Sequence, residues 1–383
     1  MEKILFISTQ MPTKLGGMRS LHYNMLAFSK YFEVHFMLVK AGEVEKRVLF
    51  EMPQGIKYST VECAGFSFCA SDLLFPLQWR EMGRIRSMQE KVQRYVDANG
   101  IDAIVMHSMD VTFALGGVRA KVKSGYQLDS FASYYISKWK FARSLPAFLL
   151  AALQSVLSRL MVRELSKNYE LLAYVSRADV AGISKDKFCV VSQCRDLPQK
   201  KPNLGGRDID VVLFGRWEHP PNRDGLLRIL GDLGKIKGSV KIIGPNFSPR
   251  AQLPKNVEYL GMVDGIEEYW ENSKICILPV WYGAGLQTKL FDALRHGCKV
   301  VSTEYTKNTF EANGFFAKSV VYSENVVEAA NYALGKWKED DAREAYRDYE
   351  EFYRISRKQE RQYVGCVWVL VEGAVVINSS RSR

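Results

Sequence analysis

Short apolar runs alternate with longer stretches of helical periodicity along most of the chain. That alternation restricts it to an α/β architecture with parallel sheets. Ile4–Ser8 reads as a first buried strand, followed by a loop with Pro12 and Gly16-Gly17 and then by apolar residues at helical spacing over Met18–Tyr31. Val34–Val39 and Ala103–Met106 read as further strands, and Tyr174-Val175-Ser176 as another short apolar run. From Asp196 to Arg207 the composition breaks: DLPQKKPNLGGR holds two prolines, two glycines and several charges, the signature of a linker. The pattern then restarts, with strands at Val211–Phe214, Val240–Ile243, Val257–Leu260, Ile275–Pro279 and Lys299–Ser302, and helices over Pro221–Leu233 and around Thr288–His296. The expectation is two Rossmann-like domains, a pairing that puts a ligand in the cleft between them.

The expected bounds are 1–200 for the first domain and 201–345 for the second. Residues 346–383 are expected to form a C-terminal helix and tail that packs back on the first domain. A length of 383 residues suits two domains of roughly 150 residues and an extension.

A formal net charge of +11 favours a phosphate-bearing ligand, nucleic acid or an acidic membrane surface. No basic tract with interleaved aromatics occurs, so nucleic acid is the weakest of the three. Seven cysteines without a C-x-x-C pair indicate neither a disulfide framework nor a zinc site, and fit a reducing cytoplasm. Met1-Glu2-Lys3 leads into an apolar run too short for a signal peptide, and no stretch of about twenty apolar residues suggests a membrane span.

Leu145–Val162 is strongly apolar but carries Gln154, Ser155, Ser158 and Arg159. It reads either as a helix buried in the first domain or against a partner, or as an interfacial helix on a membrane, with Lys138, Lys140, Arg143 and Arg163 as basic flanks. The apolar tail Tyr363–Ile377 reads as a packed terminal element, with peripheral membrane contact as the alternative.

The sharpest signal is Gly283-Ala-Gly-Leu-Gln-Thr-Lys289-Leu-Phe-Asp292-Ala-Leu-Arg-His-Gly297, placed just after the strand Ile275–Pro279. Two glycines at a strand-to-helix turn let backbone approach a ligand closely. The helix opening there directs N–H groups and its positive end outward, which suits a diphosphate. Lys289 lies within reach of the same anion, and Asp292, three residues on, shares its helix face and can accept from a ribose diol. An ordinary βαβ turn would leave Lys289 solvated and Asp292 as a local cap. The full order of strand, Gly-x-Gly, Lys, acid, Gly and strand argues against that plain reading.

This stretch resembles the donor-binding signature of the GT-B glycosyltransferases, in particular glycosyltransferase family 4 (group 1). The matching positions are Gly283, Gly285, Lys289, Asp292-Ala293, Gly297 and Val300-Val301. Asp292 stands where that family usually has Glu, and Ala284 where it has the first of a spaced Glu pair. Val211–Arg216 with Pro221-Asn222 resembles the opening of the family's second domain. Arg216 matches an arginine that pairs with the donor diphosphate, while Asn222 and Arg223 occupy the region of its companion lysine. Val257–Val263 resembles the strand and loop whose backbone reads the base, at Met262 and Val263. Gly16-Gly17 matches the glycine-rich loop bordering the cleft. His107 matches a histidine near the transferred sugar, against the plain alternative of a structural histidine. Leu128-Asp129-Ser130 and Tyr174–Asp179 resemble landmarks that line the cleft or hold the fold.

The resemblance implies a GT-B fold, two Rossmann-like domains facing each other across a cleft. It also implies a glycosyltransferase that moves a sugar from a nucleoside-diphosphate sugar to a hydroxyl, with retention of configuration. The implied catalytic residues are Arg216, Lys289 and His107. The implied donor contacts are Gly16, Gly17, Gly283, Gly285, Leu286, Asp292, Met262 and Val263. No cofactor is expected, the nucleotide sugar being a substrate, and no metal. Asp208-Ile209-Asp210 is a D-x-D string but precedes a buried strand, where a metal site would need both acids beside a pocket. Expected partners are the nucleotide sugar, a glycan or lipid-linked glycan acceptor of bacterial surface polysaccharide synthesis, and a peripheral membrane contact, with no nucleic acid. The expected location is the cytoplasm, with the inner face of the plasma membrane as a candidate site. The alternatives are a nucleotide-sugar 2-epimerase of the same fold and a catalytically silent relative acting in an assembly complex.

Overall fold

The structure, a computed structural model, describes residues 1–12, 19–40, 53–62, 78–127, 130–142, 144–180, 187–193, 205–248 and 252–373. The chain divides into two compact units, Met1–Gln193 with Lys358–Arg383, and Cys194–Arg357. Gly16, Gly17, Leu128, Asp129, Arg143, most of the expected linker and residues 374–377 of the expected tail lie outside the described residues.

The first unit is built on seven parallel strands: β1 (Lys3–Ser8), β2 (Glu33–Lys40), β3 (Lys57–Glu62), β4 (Ala103–His107), β5 (Val122–Gln127), β6 (Leu171–Tyr174) and β7 (Phe188–Val190), in the order β3-β2-β1-β4-β5-β6-β7. The sheet is covered on both sides, which explains why β1 reads as a continuous apolar run. Ile4 and Phe6 enter one core with Leu21, Met25 and Phe28, whereas Leu5 and Ile7 enter the other with Val92, Val96 and Met106.

The second unit repeats the plan with β8 (Ile209–Phe214), β9 (Val240–Ile243), β10 (Val257–Gly261), β11 (Ser273–Leu278), β12 (Lys299–Ser302) and β13 (Val320–Tyr322), all parallel, in the order β10-β9-β8-β11-β12-β13. Here too Val212 and Phe214 face one core while Val211 and Leu213 face the other. In both sheets the winding reverses beside the first strand, between β1 and β4 and between β8 and β11. Such reversals open a crevice at the carboxyl ends of the strands.

Several sequence expectations are corrected or sharpened. The short apolar run at Tyr174 is the end of the strand Leu171–Tyr174, and Ser176 opens a short 3₁₀ turn in which its Oγ accepts from Ala178 N at 3.2 Å. The helix expected over Pro221–Leu233 is α-helical only over Pro220–Ile229 and tightens to 3₁₀ over Leu230–Lys235, where two glycines weaken the α form. Arg207, read as the end of a linker, is buried: its guanidinium donates to Trp270 O at 3.2 Å, to Ser273 O and to His296 O at 2.5 Å. It therefore ties the start of the second unit to the segments that lead into β11 and β12. Asp210 of the D-x-D string is occupied by fold contacts, taking Lys274 Nζ at 2.7 Å and Ser239 N at 2.9 Å.

The helix Glu339–Glu372 begins in the second unit and continues into the first. Ala345, Tyr349 and Phe352 enter the core of the second unit. Tyr363, Val364, Val367 and Val371 enter the core of the first, where Tyr363 Oη lies 2.9 Å from Ser124 Oγ on β5.

Candidate functional site

The crevice of the second sheet is where Arg216, Gly283, Gly285, Lys289 and Asp292 come together. β8 ends at Phe214 and runs into Gly215-Arg216, while β11 ends at Leu278 and runs into the loop Pro279–Gln287. The helix Thr288–Arg295 then starts, and the Gln287 side chain does not cap its first turn. Gly283 and Gly285 have φ of 155° and 68°, the second firmly in the left-handed region that glycine favours. Leu290, Phe291 and Leu294 pack the helix into the core and so fix its opening turn at the sheet edge.

The loop carrying the two glycines is pinned at several points. Tyr282 Oη donates to Asp224 Oδ2 at 2.6 Å, and Trp281 Nε1 to Glu324 Oε2 at 2.7 Å. The Arg228 guanidinium sits 4.4 Å from the Trp281 ring centroid, a cation–π contact. Thr303 Oγ1 donates to Val280 O, and Ser302 Oγ to Leu278 O at 2.9 Å. Gly225, on the helix Pro220–Ile229, faces the Pro279 carbonyl so closely that a Cβ there would overlap the oxygen. A ligand in the crevice therefore meets backbone already held in place.

Lys289 is half-buried in the first turn of its helix. Its Nζ donates to Phe214 O at 3.0 Å and to Asn222 Oδ1 at 2.9 Å. Asn222 in turn donates through Nδ2 to Arg216 O at 3.0 Å. An ammonium has three donors, and these two contacts anchor it across the crevice mouth. Burial pushes the Lys289 pKa down to about 8. Arg216 is exposed and paired with Glu218, Nη2 at 2.7 Å and Nε at 2.8 Å from Oε1. Asp292 is half-buried three residues beyond Lys289, and its carbonyl accepts from His296 Nδ1 at 2.7 Å. The Leu286 side chain packs into the core, so a ligand contact there would have to come from backbone. Met262 follows β10 and is 80 % exposed, while Val263 packs on the core.

Two residues not singled out as site residues stand beside these. His219 caps the helix Pro220–Ile229 by position. Desolvation of its ring lowers its pKa, and the positive charges of Lys289 and Arg216 lower it further. The residue as a whole is exposed. The Tyr305 hydroxyl lies 3.5 Å from where a Cβ on Gly283 would stand. Its position, just past the carboxyl end of β12, was the available signal.

The first unit holds His107 as the last residue of β4, at the reversal point of its own sheet. The ring is fully buried, stacks on Tyr126 with centroids 5.0 Å apart, and places Nε2 3.1 Å from Ser20 Oγ. Ser108 follows with φ of 97°, a strained conformation for a side chain with a Cβ. Its carbonyl accepts from Thr112 Oγ1 at 2.7 Å and its N–H donates to Tyr126 O at 2.8 Å. The structure thus gathers Arg216, Lys289, Gly283, Gly285 and Asp292 around one crevice and sets His107 at the corresponding place in the other unit.

Residues 208–335 match the family model described as "Glycosyl transferases group 1". No curated protein matches the chain significantly in sequence. Among solved structures, the chain is similar to a sucrose-phosphate synthase from Thermosynechococcus elongatus at 12 % identity and a TM-score of 0.73, covering 98 % of this chain and 100 % of that one. It is similar to WaaG, a glycosyltransferase involved in lipopolysaccharide biosynthesis, at 13 % identity and a TM-score of 0.57, covering 97 % and 100 %. It is also similar to Anabaena HepE in complex with UDP, at 11 % identity and a TM-score of 0.62, covering 96 % and 99 %. What is shared at such identities is the fold, and that fold is GT-B.

Proposed function

We propose that this chain, a GT-B fold whose second unit carries a group 1 glycosyl transferase domain, moves a sugar from a nucleoside diphosphate to a hydroxyl acceptor. The observation that carries the reading is the Lys289 ammonium, fixed at the carboxyl end of β8 beside an N-terminal helix turn. Both are positive, and both adjoin two glycines that admit a ligand close to backbone. A diphosphate is the anion that spans such a place.

In the reaction, the bond between the anomeric carbon and a diphosphate oxygen breaks and negative charge grows on that oxygen. Lys289, Arg216 and the N–H groups near Gly285 are the donors we assign to that charge. Removal of one donor from a comparable site costs roughly 10²–10³ in rate. With this charge met by protein groups, we propose that no metal is required. The acceptor oxygen bonds to the carbon on the face the diphosphate leaves, retaining configuration, and its proton ends on the departing diphosphate. Asp292 would hold the ribose diol and the Met262-Val263 backbone the base, while His107, fully buried, would act only through the groups that cover it. We propose a glycan or lipid-linked glycan of a cell-surface polysaccharide as acceptor.

A thermal-shift panel of nucleoside diphosphates and their sugar conjugates tests the donor site. A ligand at one hundred times its Kd stabilises by about 2.7 kcal/mol. One nucleotide series should raise the melting temperature of the wild type and leave Lys289→Ala unmoved. A folded protein that responds to none of them would overturn the reading. Product formation that needs an acceptor then separates transfer from epimerisation.

A further inference from the structure

The helix Leu145–Lys167 presents the wrong face to its own unit. It packs on the helix Phe131–Phe141, and the residues it buries are Ala151, Ser155, Ser158 and Val162. Both serines are satisfied within the helix, Ser155 Oγ donating to Ala152 O and Ser158 Oγ to Gln154 O, each at 2.7 Å. Small residues let two helices approach closely. The large apolar side chains point the other way: Leu145 is 69 % exposed, Leu149 58 %, Leu153 50 %, Val156 54 % and Leu160 54 %. Their spacing of three and four residues sets them in one stripe along the outer face. A helix that serves only its own fold buries its leucines and shows its serines to water. This one does the reverse over about five turns of helix.

Charge identifies what covers the stripe. Between Asp129 and Glu164 the chain has no carboxylate, while it carries Lys138, Lys140, Arg143, Arg159 and Arg163. Lys140, Arg159 and Arg163 are exposed. Trp139 and Phe148 meet across the helix pair with ring centroids 5.3 Å apart, placing aromatic bulk at its closed end. No helix among the described residues is long and apolar enough to cross a membrane. An outward apolar stripe with five cations and no carboxylate between residues 130 and 163 is the pattern of an element that lies in a lipid interface with anionic headgroups around it.

We propose that the hairpin Phe131–Lys167 docks this protein onto an anionic lipid surface, with the stripe from Leu145 to Leu160 inserted among the acyl chains and Lys140, Arg159 and Arg163 against the phosphates. The proposal stands apart from the donor reading, since none of these residues lies near Lys289 in the sequence or on its sheet.

The test is flotation of the full chain with vesicles of phosphatidylcholine alone and of phosphatidylcholine mixed with phosphatidylglycerol. The wild type should float with the mixed vesicles, bind the neutral ones weakly, and lose binding as salt rises. The variant Leu149→Ser/Leu153→Ser/Val156→Ser should lose about tenfold or more of its partitioning. Lys140→Glu/Arg163→Glu should bind the mixed vesicles no better than the neutral ones. All three substituted apolar positions are exposed, so the melting temperature should be unchanged, which separates lost docking from misfolding. Wild-type protein that stays unbound with mixed vesicles at low salt overturns the proposal. So does a triple variant that floats as well as wild type. Sedimentation that shows a dimer broken by the triple substitution, without vesicle binding, would assign the stripe to a second copy instead.

Discussion

Lys289 Nζ and Asn222 Oδ1 lie 2.9 Å apart, though 67 residues separate them in sequence. Asn222 also holds the Arg216 carbonyl, so one amide side chain sets the relative position of the two cations assigned to the diphosphate. Asn222→Ala should leave the Lys289 ammonium with one of its two protein acceptors. A hydrogen bond to a charged group contributes about 1.5–3 kcal/mol. Calorimetric titration with the preferred nucleoside diphosphate should show affinity falling by roughly tenfold or more. An unchanged Kd would separate Lys289 from the donor.

The Lys289 pKa of about 8 gives the site a pH signature. Between about 8 and the ordinary 10.5 the folded chain binds fewer protons at this group than the unfolded chain does. Its contribution to stability therefore rises with pH across that window and is unfavourable below it. Diphosphate affinity runs the other way and should fall as pH climbs through about 8, because the neutral amine no longer attracts the anion. Lys289→Arg does not titrate in this range, so its affinity should lie on a flat line over the same interval. Parallel profiles for the two proteins would assign the pH dependence elsewhere.

Glu218 competes for Arg216. Their contact is exposed, and exposed pairs contribute about 0.2–1 kcal/mol. Glu218→Gln releases the guanidinium and removes a negative charge from the crevice mouth. Donor affinity should rise by a few-fold, about the factor that energy represents. An affinity that falls would mean that Glu218 positions Arg216 for the ligand.

Gly225→Ala drives a methyl group into the Pro279 carbonyl, where neither backbone can yield without moving the loop Pro279–Gln287. Overpacking of this kind costs about 1–3 kcal/mol, and denaturant unfolding should show it. Gly231→Ala, with nothing within 4 Å of the new Cβ, is the matched control and should be neutral or mildly stabilising. Equal effects at the two sites would remove the steric account of Gly225.

The strand pattern was legible because β1, β4, β8 and β11 are buried on both faces, and burial of that kind leaves unbroken apolar runs. β3 and β5 were not: KYSTVE leaves Lys57, Tyr58 and Thr60 exposed, and VKSGYQ hides polar residues in the sheet. In β5 those residues are acceptable only because distant groups bond them, Tyr363 to Ser124 and Thr112 to Gln127 at 2.8 Å. The site divides the same way. Gly283, Gly285, Lys289 and Asp292 are neighbours in sequence and announce themselves by spacing. The placement of Asn222 and His219 beside them arises only when separate strands end at one edge, and no local pattern carries that. For Leu145–Val162 periodicity gave a helix but not its orientation. The structure removes the reading in which its leucines are buried in the first unit, because only the packing against Phe131–Phe141 decides which face turns inward.

The helix that joins the core of the second unit and then that of the first has a consequence for synthesis. Tyr363, Val364, Val367 and Val371 complete a core whose first strand is Lys3–Ser8. The ribosome makes those four residues only after the whole of Cys194–Arg357 has been synthesised. The second unit is one unbroken stretch and holds every strand of its sheet, so its core needs nothing made after Arg357. The first unit, begun earlier, must wait with part of its apolar interior uncovered. The sheet made first is thus the one whose core is completed last, and until then its apolar surface is exposed to aggregation.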